Sequence, residues 1–435
     1  MKRRHQKPLI FILRIIGIVG GFCTGLSFVL VHLLEIETND DLAHHLVSTK
    51  SDAPSSGWPH PFIHILNTRF QQEQGNLTAL GRARLVLFET FCLNSILGQT
   101  ALHEKDATPF LWIIKVDPEL SHDLLGDLIA LVDPYDFIYV VASNVNFGVG
   151  QREGGWRGGE AGSDVLSSKI YTGNRTLLRQ AHLARETRAV LETRVDADDG
   201  LNLEYLEVLQ SEAARKLRWA SNQTNPHRQR WMYWCLLNHI DWTPTPAEQA
   251  VNPHNEFGVF VPKKSPHVCI TAGITIGVSI GVEEDQVPRY GHYELVRELR
   301  YGKNKADCGG VSETKCLRLV ATPLLGAIRS RTPTSAGMKG IIAAGDNFAK
   351  SLEVSISNNA TILNVHLWRE FHCRLDQVIR ANRHLQDHVV DIAADNLRGQ
   401  CTRGHSCKES TKEALQNLLD IHTNHSSLGK LQDTV

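Results

Sequence analysis

The sequence has no excess of charge of either sign. Its 46 Lys and Arg residues face 47 Asp and Glu residues, which leaves a formal net charge of −1 and an isoelectric point of about 7.1. Proteins that bind nucleic acids usually carry a basic stripe or a strongly basic domain. We therefore expect no nucleic-acid partner.

Two motifs that mark common cofactor and metal sites are missing. The nine cysteines include no Cys-x₂-Cys pair, and His372-Cys373 has no partners at ligand spacing, which disfavours a zinc site. The glycine-rich residues 148–162 contain no Gly-x-Gly-x-x-Gly, so a dinucleotide fingerprint is not supported. This segment predicts a surface loop, either a lid or a loop without a role. No internal repeat is present.

A basic N-terminus precedes a long apolar run. Residues 15–34 contain no Asp, Glu, Lys or Arg, and a helix of about twenty residues spans the roughly 30 Å core of a bilayer. Basic residues before the run and Glu35 and Glu37 after it predict a cytosolic N-terminus by the positive-inside rule. We predict an uncleaved signal anchor. A cleaved signal peptide is the alternative, although the run exceeds the usual length and lacks a clear cleavage site.

The predicted organisation follows from this anchor. It comprises a cytosolic tail (1–14), a transmembrane anchor (15–34), a polar stem (35–60), a globular domain (61–400) and a C-terminal tail (401–435). The expected location is the Golgi or ER membrane, with type II topology and the globular domain in the lumen.

Two further features agree with a lumenal domain. N-glycosylation acceptor patterns occur at Asn76, Asn174, Asn222, Asn359 and Asn424. Eight cysteines follow the anchor, and an even number suits an oxidising compartment. Cys308 and Cys316, like Cys401 and Cys407, are close enough to close small loops, but the pairing stays open.

Strand-like and helix-like segments alternate in the first half of the globular part. Predicted strands are 62–66, 110–116, 136–142 and 191–195, and predicted helices are 80–100, 120–131, 182–190 and 203–217. The second half is less regular, with strands at 229–237 and 257–261, a strand or hairpin at 269–281 and a helical region at 367–396. Strand–helix alternation predicts an α/β fold with a mainly parallel central sheet.

The most informative stretch is 191–200, a short apolar run that ends in three carboxylates and a glycine. Asp196 and Asp198 form an Asp-x-Asp at the tip of a predicted strand, and hard cations such as Mn²⁺ or Mg²⁺ prefer such oxygen ligands. A solvated turn is the simpler alternative. A calcium loop of the EF-hand type does not fit, because Gly200 comes one position too early.

Other polar residues follow the predicted strands. Thr68 and Arg69 follow the first, and Asp117 follows the second. Ligands of open α/β sheets bind beyond the carboxyl ends of the strands, so these residues are candidates for contact with a nucleotide. Asp117 could equally hold a turn, and Arg69 could form a surface ion pair.

Two further segments supply candidates from the second half. Arg329 and Arg331 lie in a hydroxyl-rich basic segment, 329–338, that could meet a diphosphate or be an exposed loop. Glu283, Glu284 and Asp285 form an acidic cluster that could supply a catalytic base, or be solvated.

The ordered motifs resemble a known family. The strand followed by Thr68-Arg69-Phe70, then residues 88–96 with Gln99-Thr100, then 110–114 with Asp117-Pro118, then 192–200 are similar to the rhamnosyltransferase family. This is a group of glycosyltransferases with the GT-A type of fold, and the likeness covers about residues 61–218. It implies that Asp196 and Asp198 bind a metal and the donor diphosphate, and that Thr68, Arg69 and Asp117 lie near the nucleotide.

The sequence thus predicts a lumenal, metal-dependent glycosyltransferase with a nucleotide-sugar donor and a glycan or glycoconjugate acceptor. Rhamnosyl transfer is the family's implied activity. Whether the enzyme inverts or retains is open, since only an inverting enzyme needs a base. The alternatives are a lumenal sulfotransferase, which should carry glycines after its first strand, and a non-catalytic cell-surface binding module.

Overall fold

The computed structural model describes residues 62–103, 110–144, 168–184, 187–218, 228–245, 256–282, 286–288, 290–301, 307–309, 316–334 and 360–402. The predicted anchor, stem, glycine-rich loop and C-terminal tail beyond 402 lie outside these ranges. No helix in these ranges is long and apolar enough to cross a membrane.

The elements in chain order alternate through the first half, as the sequence predicts. The strands are β1 Phe62–Phe70, β2 Phe110–Val116, β3 Ile138–Ala142, β4 Lys169–Ile170, β5 Ala189–Asp196, β6 Gly200–Leu201, β7 Trp231–Leu236, β8 Asn238–Thr243, β9 Val259–Lys264, β10 Ile274–Val278, β11 Leu317–Val320 and β12 Ala327–Ser330. The helices are α1 Thr78–Leu87, α2 Asn94–Leu97, α3 Thr100–His103, α4 His122–Val132, α5 Arg175–Ala184, α6 Tyr205–Lys216, α7 Ala360–Phe371, α8 Leu375–Asp387 and α9 Val389–Thr402. A π-helical turn, Phe88–Leu93, joins α1 to α2, and a second one is Arg297–Tyr301.

The larger sheet has the strand order β11-β7-β10-β5-β1-β2-β3-β4. Its centre is parallel, because β1 pairs in parallel with β5 and β2, and β2 pairs in parallel with β3. Two strands run the other way: β10 is antiparallel to β5 and β7, and β4 is antiparallel to β3. The prediction of an α/β fold with a mainly parallel sheet is confirmed to this extent.

Side chains of β1 alternate between two apolar layers. Leu66 and Phe70 join a cluster with residues of β2, α4 and α6, whereas Ile63 and Ile65 join a second cluster that includes Leu178 of α5. Helices therefore cover both faces of the central strands, which explains why these strands read as nearly continuous apolar runs.

A smaller sheet has the order β6-β12-β8-β9. The short strand β6 follows the Asp-x-Asp motif directly and pairs antiparallel with β12, with Leu201 opposite Ala327. This pairing brings the segment after β12 to the end of β5.

Three predicted elements differ from the structure. β1 extends to Phe70, because it pairs with β2 to the end of that strand, so Thr68 and Arg69 lie inside it. The helix predicted for 182–190 is wrong, since α5 ends at Ala184 and β5 begins at Ala189, which pairs with Phe62. The segment from Arg329 begins within β12 instead of forming a loop throughout.

The C-terminal helical region consists of α7, α8 and α9 rather than one helix. Their buried residues, among them Leu367, Val378 and Ile392, pack in one cluster with Leu80 and Leu87 of α1. Disulfides join Cys235 to Cys269 and Cys308 to Cys316, while Cys92 and Cys373 are buried thiols.

Candidate functional site

The Asp-x-Asp motif begins with the last residue of β5. Asp196 is partly exposed, and its Oδ1 accepts hydrogen bonds from Arg194 Nη2 at 3.0 Å and Nε at 3.3 Å. Arg69 of β1 is paired directly with Asp196 in the sheet. Burial alone raises the pKa of Asp196, but the charges of Arg194 and Arg69 and a hydrogen bond from Thr271 outweigh it, so the pKa falls below its usual range. Asp196 is therefore a carboxylate at neutral pH.

Asp198 is held by a different part of the chain. Its Oδ2 accepts a 2.8 Å hydrogen bond from Thr334 Oγ1. The carbonyl oxygen of Thr334 in turn accepts a 3.0 Å hydrogen bond from Arg84 Nη2 of α1, and Asn396 Nδ2 of α9 donates to the Pro333 carbonyl at 2.6 Å. The segment after β12 is thus fixed from two helices, and it orients the second carboxylate of the motif.

Asp199 closes the turn from β5 into β6. This residue is buried, and its Oδ1 accepts a 3.0 Å hydrogen bond from the backbone N–H of Ser330. The next residue must be small: a Cβ on Gly200 would lie 2.9 Å from the carbonyl oxygen of Phe91 in the π-helical turn. Asp199 therefore fixes the loop, whereas Asp196 and Asp198 keep partly exposed side chains.

Three carboxylates within four residues repel one another. Burial raises the pKa of Asp198, the charge of Asp196 raises it further, and the charge of Arg84 opposes both. Burial, followed by the charges of Asp198 and Asp196, raises the pKa of Asp199 well above its usual range, with Arg329 opposing. A divalent cation between Asp196 and Asp198 would offset this repulsion, so the residues fit such an ion.

The predicted basic residues take different positions around these carboxylates. Arg69 and Arg329 are half-buried, and the charge of Arg329 interacts with Asp199, Asp241 and, more weakly, Asp196. Arg331 is exposed, and its Nε lies 3.6 Å from Asp241 Oδ2. Arg69 and Arg329 therefore stand beside the motif, while Arg331 pairs with a different carboxylate.

Two other predicted residues have partners elsewhere in the fold. Thr68 is fully buried, and its hydroxyl accepts a 2.9 Å hydrogen bond from the Trp112 indole N–H. Asp117 is also buried, and its Oδ1 accepts a 2.8 Å hydrogen bond from the backbone N–H of Glu119, as a turn residue does. The structure gives both side chains local partners and brings neither into contact with Asp196 or Asp198 through a described hydrogen bond.

Glu283, Glu284 and Asp285 lie outside the described residues.

Several residues of the site were missed by sequence reasoning, among them Asp199, Thr334 and Arg84. Asp199 and Thr334 belong to segments that were singled out, so each could have been named with its neighbours. Arg84 gave no signal, because its role depends on contact between α1 and the segment after β12.

The arrangement defines a class of site: an Asp-x-Asp surrounded by Arg69, Arg194 and Arg329 at the carboxyl edge of a mixed, mainly parallel sheet. Within the described ranges no group of three or more His, Cys, Asp or Glu side chains could enclose a metal ion. Two carboxylates suit a cation that completes its coordination with phosphate oxygens and water, as Mg²⁺ does in many phosphate-binding sites.

Comparison with known proteins adds little to this picture. The chain matches no family model and no curated protein. Among solved structures, S. aureus TarS 1-349 in complex with UDP aligns at 12% identity over 78% of this chain and 80% of that one, with a TM-score of 0.24. A second structure of S. aureus TarS aligns at 12% identity over 81% of this chain and 50% of that one, with a TM-score of 0.21. Both scores are too low to define a shared fold, so the function must be argued from the site.

Proposed function

We propose that this chain is a metal-dependent glycosyltransferase that moves a sugar from a nucleotide-diphospho-sugar to a glycan or glycoconjugate acceptor. One observation carries the proposal. Asp196 and Asp198 stand partly exposed at the carboxyl edge of the sheet, each held by its own partner, with Arg69 and Arg329 beside them.

The charges explain how such a site would treat a diphosphate. Mn²⁺ or Mg²⁺ bound by Asp196 and Asp198 would neutralise the charge that develops on the departing nucleoside diphosphate. Arg69 and Arg329 supply fixed positive charge at the same place, and Arg is well suited to phosphate oxygens. Because Arg194 and Thr334 hold the carboxylates before any ligand arrives, little reorganisation is needed when charge develops.

A lumenal setting is part of the proposal. The two disulfides within the described residues support an oxidising compartment. We propose single-pass type II insertion in the Golgi or ER membrane through residues 15–34. In intact microsomes, added protease should leave the domain from residue 61 onward undigested. Full digestion without detergent would contradict this topology.

The proposed activity is tested with the purified full-length chain. Release of nucleoside diphosphate is measured from UDP-, GDP- and dTDP-sugars, rhamnose donors included, with Mn²⁺ and with a chelator. The variants are Asp196→Asn and Asp198→Asn. Asp376→Asn on α8 is the matched control, because that carboxylate is exposed and pairs with Arg374 and Arg380.

We expect one donor to release nucleoside diphosphate only when the metal is present. The rate of release should fall about a hundredfold or more in each site variant and stay unchanged in the control. A folded chain that neither binds nucleotide nor releases it would overturn the proposal. Cation binding without any nucleotide binding would favour the binding-module alternative.

A further inference from the structure

A histidine from another part of the chain lies near the Asp-x-Asp motif. His292 lies in the turn before the second π-helical segment, and its carbonyl oxygen accepts a 3.2 Å hydrogen bond from the backbone N–H of Cys269. Two residues later, Thr271 donates a hydrogen bond to Asp196. Buried Leu295 and Val296 anchor the turn in an apolar cluster. The position of His292 relative to β5 is therefore fixed.

Charged residues on three strands affect the pKa of His292. Burial lowers its pKa to about 4, with Arg194 lowering it further, Asp196 raising it, and Arg329 and Arg69 lowering it. These are the residues that surround the Asp-x-Asp motif on β5, β12 and β1. The imidazole is thus neutral at physiological pH and close to the proposed donor site.

One ring nitrogen of His292 makes no hydrogen bond within the described fold. Nε2 is buried and has no hydrogen-bond partner among the residues that the structure describes. Buried polar atoms of native proteins nearly always have a partner. The indole nitrogens of Trp231 and Trp234 also lack one among the described residues, so it is the position of His292 beside the candidate site that points to a ligand. A neutral imidazole nitrogen can accept a hydrogen bond from a hydroxyl group.

The next residue, Tyr293, presents an exposed aromatic ring beside His292. Tyr293 is 63% exposed, and its ring centroid lies 3.9 Å from that of His292. A large exposed aromatic ring beside a polar acceptor combines an apolar face with a hydrogen-bonding group, as ligand sites commonly do. Sugar rings present both features, namely a face of C–H groups and a rim of hydroxyls.

We propose that His292 and Tyr293 form the acceptor subsite of this protein. His292 Nε2 accepts a hydrogen bond from the hydroxyl group that receives the sugar, and the Tyr293 ring packs against the ring that bears this hydroxyl. The identification as an acceptor subsite rests on the proposed glycosyl transfer, but the binding of a sugar by these two residues can be tested independently.

The test uses the full-length chain with Mn²⁺ and, in turn, UDP, GDP and dTDP. The probes are the methyl glycosides of galactose, glucose, mannose, xylose and N-acetylglucosamine, followed by saturation-transfer NMR. The variants are His292→Ala, His292→Gln, Tyr293→Ala and Tyr293→Phe. Tyr301→Ala is the matched control, because Tyr301 is 58% exposed in the same segment. Thermal melting checks that each variant is folded.

We expect at least one glycoside to bind, and its affinity to fall about tenfold or more in both alanine variants. Tyr293→Phe and Tyr301→Ala should bind normally, and His292→Gln should recover part of the affinity, because an amide oxygen also accepts a hydroxyl hydrogen bond. Equal affinity in all variants, or no glycoside binding by a chain that binds nucleoside diphosphate, would overturn the subsite and leave the donor site intact. If nucleoside diphosphate did not bind but a glycoside still required His292 and Tyr293, the sugar site would stand and the transferase proposal would fail.

Discussion

Thr334 Oγ1 donates a 2.8 Å hydrogen bond to Asp198 Oδ2, although 136 residues separate them in the sequence. The contact joins the segment after β12 to the end of β5. It makes the orientation of a candidate metal ligand depend on a part of the chain far from the motif. Partners of this kind are often nearly as important to a metal site as the ligands themselves.

Removing this hydroxyl should weaken the site without removing a ligand. Thr334→Val keeps the shape of the side chain but removes the hydroxyl that donates to Asp198, so we expect Mn²⁺-dependent binding of nucleoside diphosphate to weaken about tenfold or more. Thr334→Ser keeps the hydroxyl and should bind almost normally. Titration calorimetry measures both, and equal affinity of the two variants would show that Asp198 needs no such support.

A methyl group at Gly200 should disturb the turn that carries the three carboxylates. Gly200→Ala places a Cβ 2.9 Å from the Phe91 carbonyl oxygen, a backbone atom that cannot move alone. We expect a loss of about 1–3 kcal/mol in unfolding free energy, together with weaker nucleotide binding. Gly126→Ala in α4 is the control, since nothing lies within 4 Å of its Cβ position, and it should stabilise the helix by about 0.5–1 kcal/mol. Denaturant unfolding measures the stability of both variants. A Gly200→Ala midpoint equal to that of the wild type would contradict a close contact between this Cβ and the Phe91 carbonyl oxygen.

The N-terminus of α1 depends on a carboxylate from the C-terminal helices. Asp395 Oδ2 accepts hydrogen bonds from the backbone N–H groups of Ala79 at 2.9 Å and Leu80 at 3.2 Å, and Leu77 provides no side-chain cap. Asp395→Ala should therefore cost about 1–2 kcal/mol, as loss of a helix cap does. Asp387→Ala, at the exposed end of α8, should have little effect. The measurement is again denaturant unfolding, and similar midpoints for the two variants would argue against capping by Asp395.

His64, a buried histidine in β1, should make stability fall in acid. Burial lowers the pKa of His64 to about 3, and its Nε2 and Nδ1 lie 2.8 Å from Thr193 Oγ1 and 3.2 Å from Gln210 Nε2. The unfolded chain takes up a proton near pH 6.5 and the folded chain does not, so stability is full above pH 6.5 and is lost as the pH falls towards 3.

The slope of this loss gives the test. Between pH 6 and 4, His64 should cost about 1.4 kcal/mol per pH unit. His64→Gln lacks the titrating group, so its unfolding free energy does not carry this pH dependence. The unfolding free energy of the wild type should therefore fall relative to that of the variant as the pH falls. A difference that stays constant across this range would show that His64 has an ordinary pKa in the folded chain.

The sequence determined the layered architecture and the location of the motif. Alternating apolar strands and amphipathic helices predicted the α/β fold, because local periodicity reflects which faces are buried. The abrupt change from Val195 to Asp196 predicted the end of β5 to within one residue, since carboxylates are costly inside a sheet and acceptable at its edge.

The tertiary structure decided which distant residues meet at that edge. The pairing of β6 with β12 brings Thr334 and Arg329 to the motif, and the packing of α1 and α9 adds Arg84 and Asn396. Thr68 and Asp117 look equally exposed in the sequence, yet their hydrogen bonds to Trp112 and Glu119 hold them within the fold. The contacts of Thr334 with Asp198 and with Arg84 join segments more than a hundred residues apart. No local pattern records them, because hydrophobic periodicity specifies a buried face but not the partner that covers it.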